Sequence, residues 1–185
     1  MKLLMGDDME IMYFVHGTTT DNASRLCSGW KDVMLNDLGK EQALNLGNVS
    51  RDRGDKFDFI ITSDLKRAIE SSNIAFPDIE KITDSRLREC NYGDLDGEHK
   101  SLVIYEEHID MEFPNGESLK DVEKRMREFI SWLKDNYKDK KVAIVAHRSP
   151  QLALEVISKG ITWEEANRND WRKTGDWQPG WKYEI

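Results

Sequence analysis

Four short apolar runs punctuate a chain of otherwise mixed polarity: Glu10 to Val15, Phe57 to Thr62, Glu80 to Thr83 and Lys141 to Ala146. Their length and their β-branched and aromatic content predict buried strands. The segments between several of them carry helical spacing instead. From Asn36 as N-cap, Leu38, Ala43, Leu46 and Val49 form one apolar face that Gly54 ends. A longer helix opens at Ser118, whose partner Asp121 completes a capping signature. It places Val122, Met126, Phe129, Leu133 and Tyr137 at steps of three and four. Strands alternating with helices predict an α/β protein with a parallel sheet.

At 185 residues the chain has the size of one domain. The pattern predicts a loose leader over 1–9 and one domain over 10–185. Within that domain, weak periodicity and turn residues predict a loop-rich insertion around 90–116. A tail around 163–185 holds Trp163, Trp171, Trp177 and Trp181, expected to cover an edge of the sheet, with one of them walling the substrate pocket as the alternative. Ser63 is expected to cap the helix that follows the second strand.

Charge narrows the partners. With 35 acidic against 27 basic side chains, the net charge of -8 argues against nucleic-acid or anionic-membrane surfaces, which need a basic stripe. Cys27 and Cys90 fit no metal-binding spacing and are expected as reduced thiols. The first eight residues lack the apolar stretch of a secretory signal, so a cytoplasmic location is expected. Oligomeric state is not legible.

The chemistry gathers at strand ends, where sites form in open parallel sheets. His16 follows the first strand and His147 the last, so two imidazoles from opposite ends of the chain are expected to share a crevice. Gly17 lets the backbone turn tightly beside His16. Thr18, Thr19 and Asn22 are donor types suited to phosphoryl oxygens. Arg67, after the second strand, offers a planar guanidinium to an anion. The run Leu87 to Gly97 supplies carboxylates, with Glu89, Asp94 and Asp96, and nearby Glu117, as candidates for acid–base work. His99 and His108 are expected to be solvated, and Arg25 either lines the phosphate pocket or pairs on the surface.

Taken together, His16-Gly17, Asn22, Ser28-Gly29, Leu38-Gly39 with Gln42-Ala43, Ser63-Asp64-Leu65 with Arg67-Ala68, Leu87-Arg88-Glu89 with Tyr92-Gly93, Asn115 to Ser118, and His147 resemble, in order, the histidine phosphatase superfamily, also called the phosphoglycerate mutase-like family. The resemblance implies a three-layer α/β/α sandwich with a mostly parallel central sheet and catalysis through a phosphohistidine, without metal or cofactor. It makes His16 the nucleophile and Glu89 the acid. Arg67, Asn22 and His147 then hold the phosphoryl oxygens, with Gly17, Thr19, Arg25 and Ser28 around them. The expected partner is a small phosphorylated metabolite.

Two positions depart from the family pattern. Val15 stands where an arginine usually precedes the nucleophile, and Arg148 stands where a glycine often follows the second histidine. Arg148 is therefore expected to restore the missing charge. The expected activity is hydrolysis of small phosphomonoesters, because a chain of this length leaves little room for the extra segments of family mutases. A phosphoglycerate mutase-type transfer, a non-catalytic phosphate-binding protein and a zinc site built from His16, His147 and a carboxylate are the alternatives.

Overall fold

The computed structural model describes residues 9–185. Four parallel strands, β1 (Glu10–Val15), β2 (Phe59–Thr62), β3 (Lys81–Thr83) and β4 (Val142–Ala146), are joined by an antiparallel edge strand, β5 (Trp181–Glu184), in the order β3-β2-β4-β1-β5. The helices are α1 (Thr20–Ala23), α2 (Asp37–Asp52), α3 (Lys66–Ala75), α4 (Leu119–Tyr137), α5 (Arg148–Lys159), α6 (Trp163–Arg168) and α7 (Trp171–Thr174).

Strand alternation divides the core between the two faces of the sheet. Ile11, Tyr13, Ile61, Val142, Ile144 and Ala146 pack with Val122, Met126, Phe129 and Leu133 of α4 and with Leu152, Ala153 and Val156 of α5. Phe14, Ile60, Ala143 and Val145 face the other way, onto Leu46 of α2 and Ala75 and Phe76 at the end of α3. Successive side chains of a strand point to opposite faces, so runs that look uniformly apolar serve two layers. The α/β sandwich with a mostly parallel sheet follows.

The predicted caps are present. Asn36 accepts from the Gly39 N–H at 2.8 Å, and Ser118 and Asp121 form a reciprocal capping box. Several expectations need correction. Leu38 is 53% exposed, because the face of α2 that meets the sheet runs through Ala43 and Leu46 instead. Ser63 does not cap α3. Leu65 is the N-cap residue, without a side-chain cap bond of its own, and the Lys66 N–H is satisfied by Asp32 Oδ1 at 2.8 Å. The second strand starts at Phe59, and Phe57 leaves the ladder to join Phe14 and Phe76 edge-on.

Of the expected leader, residues 1–8 lie outside the described residues. Met9 is buried and exchanges backbone hydrogen bonds with Ile185, which extends the β1–β5 pairing. The 90–116 segment carries only short 3-10 turns, yet it sends Tyr92, Tyr105 and Phe113 into the core. His108 is not fully solvated, since its half-buried ring stacks on Phe113 with centroids 3.8 Å apart. Both cysteines are free and buried, and burial raises both thiols above their ordinary range.

The loop after β1 is seated on α2 by a glycine-to-glycine contact. A Cβ on Gly17 would lie 2.2 Å from the Gly39 carbonyl oxygen, and a Cβ on Gly39 would lie 2.0 Å from that of Thr18. Neither carbonyl is a flexible side-chain end that can step aside. Gly39→Ala is therefore expected to cost about 1–3 kcal/mol, the usual penalty of overpacking. Urea denaturation checks this, and a loss below ~0.5 kcal/mol, the range of neutral surface changes, would contradict it.

Candidate active site

The pairing of β1 with β4 places Val15 opposite Ala146, and the His16 N–H continues the ladder to the Ala146 carbonyl at 3.1 Å. The residues that follow both strands therefore emerge side by side. The His16 and His147 rings sit with centroids 5.0 Å apart, tilted by 59°. Two ends of the chain, 131 positions apart, meet as expected.

His16 Nδ1 lies 2.7 Å from the Gly17 carbonyl oxygen. A carbonyl only accepts, so Nδ1 carries the proton and Nε2 keeps its lone pair. Burial, and then the neighbouring Arg67 guanidinium, lower the pKa of His16 from 6.5 to about 3. The ring is neutral at ordinary pH, as a nitrogen nucleophile must be. The same two causes push His147 well below its ordinary value. His147 is completely buried, and among the described residues neither of its ring nitrogens has a hydrogen-bond partner. A polar group buried without a partner is costly, and the neutral ring has one N–H left to donate and one nitrogen left to accept. Its backbone is held by Tyr13, whose hydroxyl donates to the His147 carbonyl at 2.7 Å and accepts from the His147 N–H at 3.1 Å.

Arg67 is 2% exposed and opens α3. Its Nη1 and Nη2 donate to the carbonyls of Lys31 and Gly29 at 3.0 and 2.7 Å, so two of its five N–H groups are anchored and the others remain for an anion. Asn22 shares the cavity. Its Oδ1 accepts from the Thr19 N–H in the capping box of α1, leaving its amide protons to donate elsewhere. Ser28 also lines the cavity and donates to Asp21 at 3.1 Å.

Among the described residues Glu89 is the single acidic one lining this cavity. It sits at the amino end of α5, where Oε1 accepts from the Ser149 and Cys90 N–H groups at 2.9 Å each and Oε2 from the Arg148 N–H at 3.2 Å. Burial alone would raise its pKa, but the Ser149 hydroxyl and these N–H donors hold it below the usual carboxylate range. A buried hydroxyl chain backs it: Tyr92 to Tyr105 at 2.6 Å and Tyr105 to Ser149 at 2.5 Å. The resting site therefore holds a carboxylate at Glu89 rather than the ready-made acid expected from the sequence. The other candidate carboxylates do not line the cavity: Asp94 accepts from Asn115, Asp96 from the Trp30 N–H, and Glu117 pairs with Arg125.

Two further expectations change in detail. Thr19 is fully buried and spends its hydroxyl on capping α1, outside the cavity lining. Arg148 lines the cavity as expected, but its guanidinium is already engaged by neighbouring side chains. Its Nε binds Asp170 at 2.7 Å, its Nη2 binds Asn167 at 3.0 Å, and its guanidinium lies 4.3 Å over the Tyr105 ring. Arg172 of α7, which the sequence reading passed over, lines the cavity and lowers the pKa of both histidines. Arg25 lines the cavity, and none of the ion pairs among the described residues involves it. Its backbone is left-handed, with φ 60.

The cavity has a volume of about 730 Å³. Among the described residues Arg25, Arg67, Lys100, Arg148, Arg172 and Lys173 line it against Glu89, with Arg148 and Arg172 paired to Asp170 and Lys173 to Glu106. In a chain of net charge -8 that is a strong local reversal, which concentrates anions in the cleft. Trp171 and Trp177 line it too, so the tail is more than a cover, although Trp163 does serve the core by donating to Glu123 at 2.8 Å. Among the described residues, no group of three or more His, Cys, Asp or Glu is arranged to hold a metal ion. Nor is any of their helices long and apolar enough to cross a membrane.

Comparison with known proteins follows this geometry. Residues 12–175 match the model of the histidine phosphatase superfamily (branch 1). The chain is 33% identical over 167 residues to a phosphoglycerate mutase of Schizosaccharomyces pombe, covering 81% of this chain and 79% of the relative. It is 32% identical, again over 167 residues, to a 2,3-bisphosphoglycerate-dependent phosphoglycerate mutase of Bartonella bacilliformis, covering 81% of each. Among solved structures, Bacillus stearothermophilus YhfR superposes with a TM-score of 0.75 at 26% identity, covering 85% and 83% of the two chains. The alpha-ribazole phosphatase of Shigella flexneri, at 24% identity and coverage of 86% and 84%, shares the fold with a TM-score of 0.76.

The burial of the two imidazoles has a measurable consequence. Because the folded pKa of His16 lies near 3 and that of His147 is also depressed, neither ring takes up a proton as pH falls from 7.5 to 5. The unfolded chain does so near 6.5, so stability is full above that pH and declines as pH drops below it, toward the folded pKa. Imidazole nitrogen shifts of His16 and His147 are expected to stay fixed over that interval in NMR titration. A midpoint near 6.5 at either ring would contradict the buried, neutral pair.

Proposed function

We propose that this chain, which belongs to the histidine phosphatase superfamily, hydrolyses small phosphomonoesters through phosphorylation of His16 Nε2. The observation that carries the reading is the unprotonated Nε2 of His16, fixed by the Gly17 carbonyl beside partnerless His147 and anchored Arg67 in a cavity that reverses the charge of the chain.

The ester phosphate sits among Arg67, His147 and the Asn22 amide, with Arg25 at the outer wall. His16 Nε2 attacks phosphorus in line with the leaving oxygen. The P–N bond forms as the P–O bond to the alcohol breaks. Charge spread over the equatorial oxygens meets prepositioned donors. Glu89 enters as a carboxylate. The proton carried by a monoanionic ester passes through it to the leaving oxygen. In the second half, Glu89 takes a proton from the water that attacks phosphorus, the P–N bond breaks, and the proton leaves with inorganic phosphate.

Phosphoglycerate mutase-type transfer is the second reading, favoured by the names of the relatives that cover about four-fifths of the chain. The two readings part on the fate of the phosphohistidine, which passes to water in one case and back to a phosphoglycerate in the other.

Release of inorganic phosphate from p-nitrophenyl phosphate, with an acid-labile phosphohistidine at His16 by mass spectrometry, is the expected result. His16→Ala should abolish both. Arg67→Ala should lower kcat/KM by about 10²–10³-fold, the scale for removing one oxyanion donor. Isomerisation of 3-phosphoglycerate faster than phosphate release would favour the mutase, and binding of phosphate esters without turnover would leave a binding protein.

A Tyr105→Phe variant examines the carboxylate. Losing the hydroxyl that backs Ser149 should raise the Glu89 pKa and displace the pH profile of kcat for p-nitrophenyl phosphate toward higher pH. A profile that only drops in height would show that Tyr105 serves packing alone.

A further inference from the structure

One guanidinium of the cavity has no part in the reaction as described so far. Arg172 belongs to α7 of the tail and lines the same cavity as His16, His147 and Arg67. Asp170, Gln151 and Trp171 fix its position. Its Nη1 donates to Asp170 Oδ1 at 3.0 Å and to Gln151 Oε1 at 3.3 Å, and its backbone N–H donates to the same Asp170 oxygen at 3.1 Å. The guanidinium carbon lies 4.2 Å from the centroid of the Trp171 ring. Trp171 is held in turn, donating to Gln151 Oε1 at 3.2 Å and stacking on Trp181 of β5 with centroids 5.2 Å apart.

Gln151 ties this cluster to the histidine pair. It is buried, and its N–H reaches the His147 carbonyl at 3.4 Å across the first turn of α5. A helical side chain inclines toward the amino end of its helix, so Gln151 leans toward His147 and carries Arg172 with it. The charge of Arg172 is felt there, disfavouring protonation of both imidazoles.

The cluster is also short of negative charge. Arg148 and Arg172 share one carboxylate, Asp170, whose side chain is completely buried. Arg148 commits Nε and Nη2 to Asp170 and Asn167. Arg172 commits Nη1 alone, so among the described residues its Nε and Nη2 protons have no acceptor. A guanidinium gripped at one nitrogen and open along its Nε–Nη2 edge presents the fork that phosphoryl oxygens accept bidentately.

We infer that Arg172 is a second phosphate-binding guanidinium, delivered to the histidine end by the tail, and that its Nε–Nη2 edge binds oxygens of the phosphoryl group transferred to His16. The inference deepens the phosphatase reading and rests on it. Val15, which precedes His16 and lines the cavity, offers no charge, and the tail supplies one from the far end of the chain.

Inorganic phosphate is the probe, because it carries the reacting group and nothing else. In calorimetric titration its affinity should fall about tenfold or more in Arg172→Met, the scale of a charge-assisted hydrogen bond, and likewise in Arg67→Ala, which marks the histidine end. Arg172→Lys keeps the charge without the fork and should recover only part of the loss. Complete recovery would overturn the bidentate contact. In the wild type, the Arg172 Nε–H proton resonance should move downfield as phosphate is added, and a resonance that stays in place would overturn the contact even if the variants fail to fold. Thermal melting without phosphate reads stability separately: Arg172→Met that melts lower yet binds phosphate as the wild type does would also overturn it. Affinity lost in Arg67→Ala alone sinks the role of Arg172 and leaves the phosphatase reading intact. Affinity lost in both variants of a protein that hydrolyses no phosphomonoester supports Arg172, and the phosphatase reading alone fails.

Discussion

The pairing of β1 with β4 at the centre of the sheet is the constraint on which everything else depends. Its register, with Val15 opposite Ala146, sets His16 beside His147 although the chain between them spans most of the protein. A slip of one residue would turn every side chain to the other face. Phe14 and Val145 would then exchange layers with Tyr13 and Ile144, and the histidines would part. Because both faces of these strands are buried, such a slip is expensive, and the core that stabilises the fold also aligns the site.

From that alignment the electrostatics follow. Burial and Arg67 keep both imidazoles neutral, while the amino end of α5 and its neighbouring donors keep Glu89 ionised. The charges that remain in the cleft are cationic, apart from this one carboxylate. Arg148, which follows His147, lines the cleft with its guanidinium already engaged. Asp170 captures Arg148 and binds Arg172 as well, so the tail becomes part of the electrostatic wall. A segment expected as a cover over the sheet thus contributes a strand, a guanidinium and aromatic lining.

Much of the fold was legible because it rests on local chemistry. The four parallel strands, the Asn36 cap and the Ser118–Asp121 box are written in periods of two and of 3.6 and in side chains that satisfy backbone groups close by. Leu38 and Ser63 show where local rules fail. Leu38 fits the helical spacing, yet the side of α2 that meets the sheet is chosen by the Gly17–Gly39 approach and by Leu46. Ser63 has the chemistry of a cap, but the chain reaches α3 at an angle that hands the free N–H to Asp32 instead. β5 was hidden because four residues carry too little periodicity to outweigh the tryptophans around them.

By itself the sequence determined the fold class and the membership of the superfamily and singled out His16, Arg67, Glu89 and His147 as candidates, since these depend on residue type and spacing. Only the tertiary structure decided which nitrogen of His16 carries its proton, that Glu89 rests as a carboxylate, that Arg148 is bound to Asp170, and that Thr19 caps a helix. The physical reason is common to all four. Protonation and hydrogen-bond allegiance depend on distances between groups far apart in the chain, and a linear pattern holds no such distances.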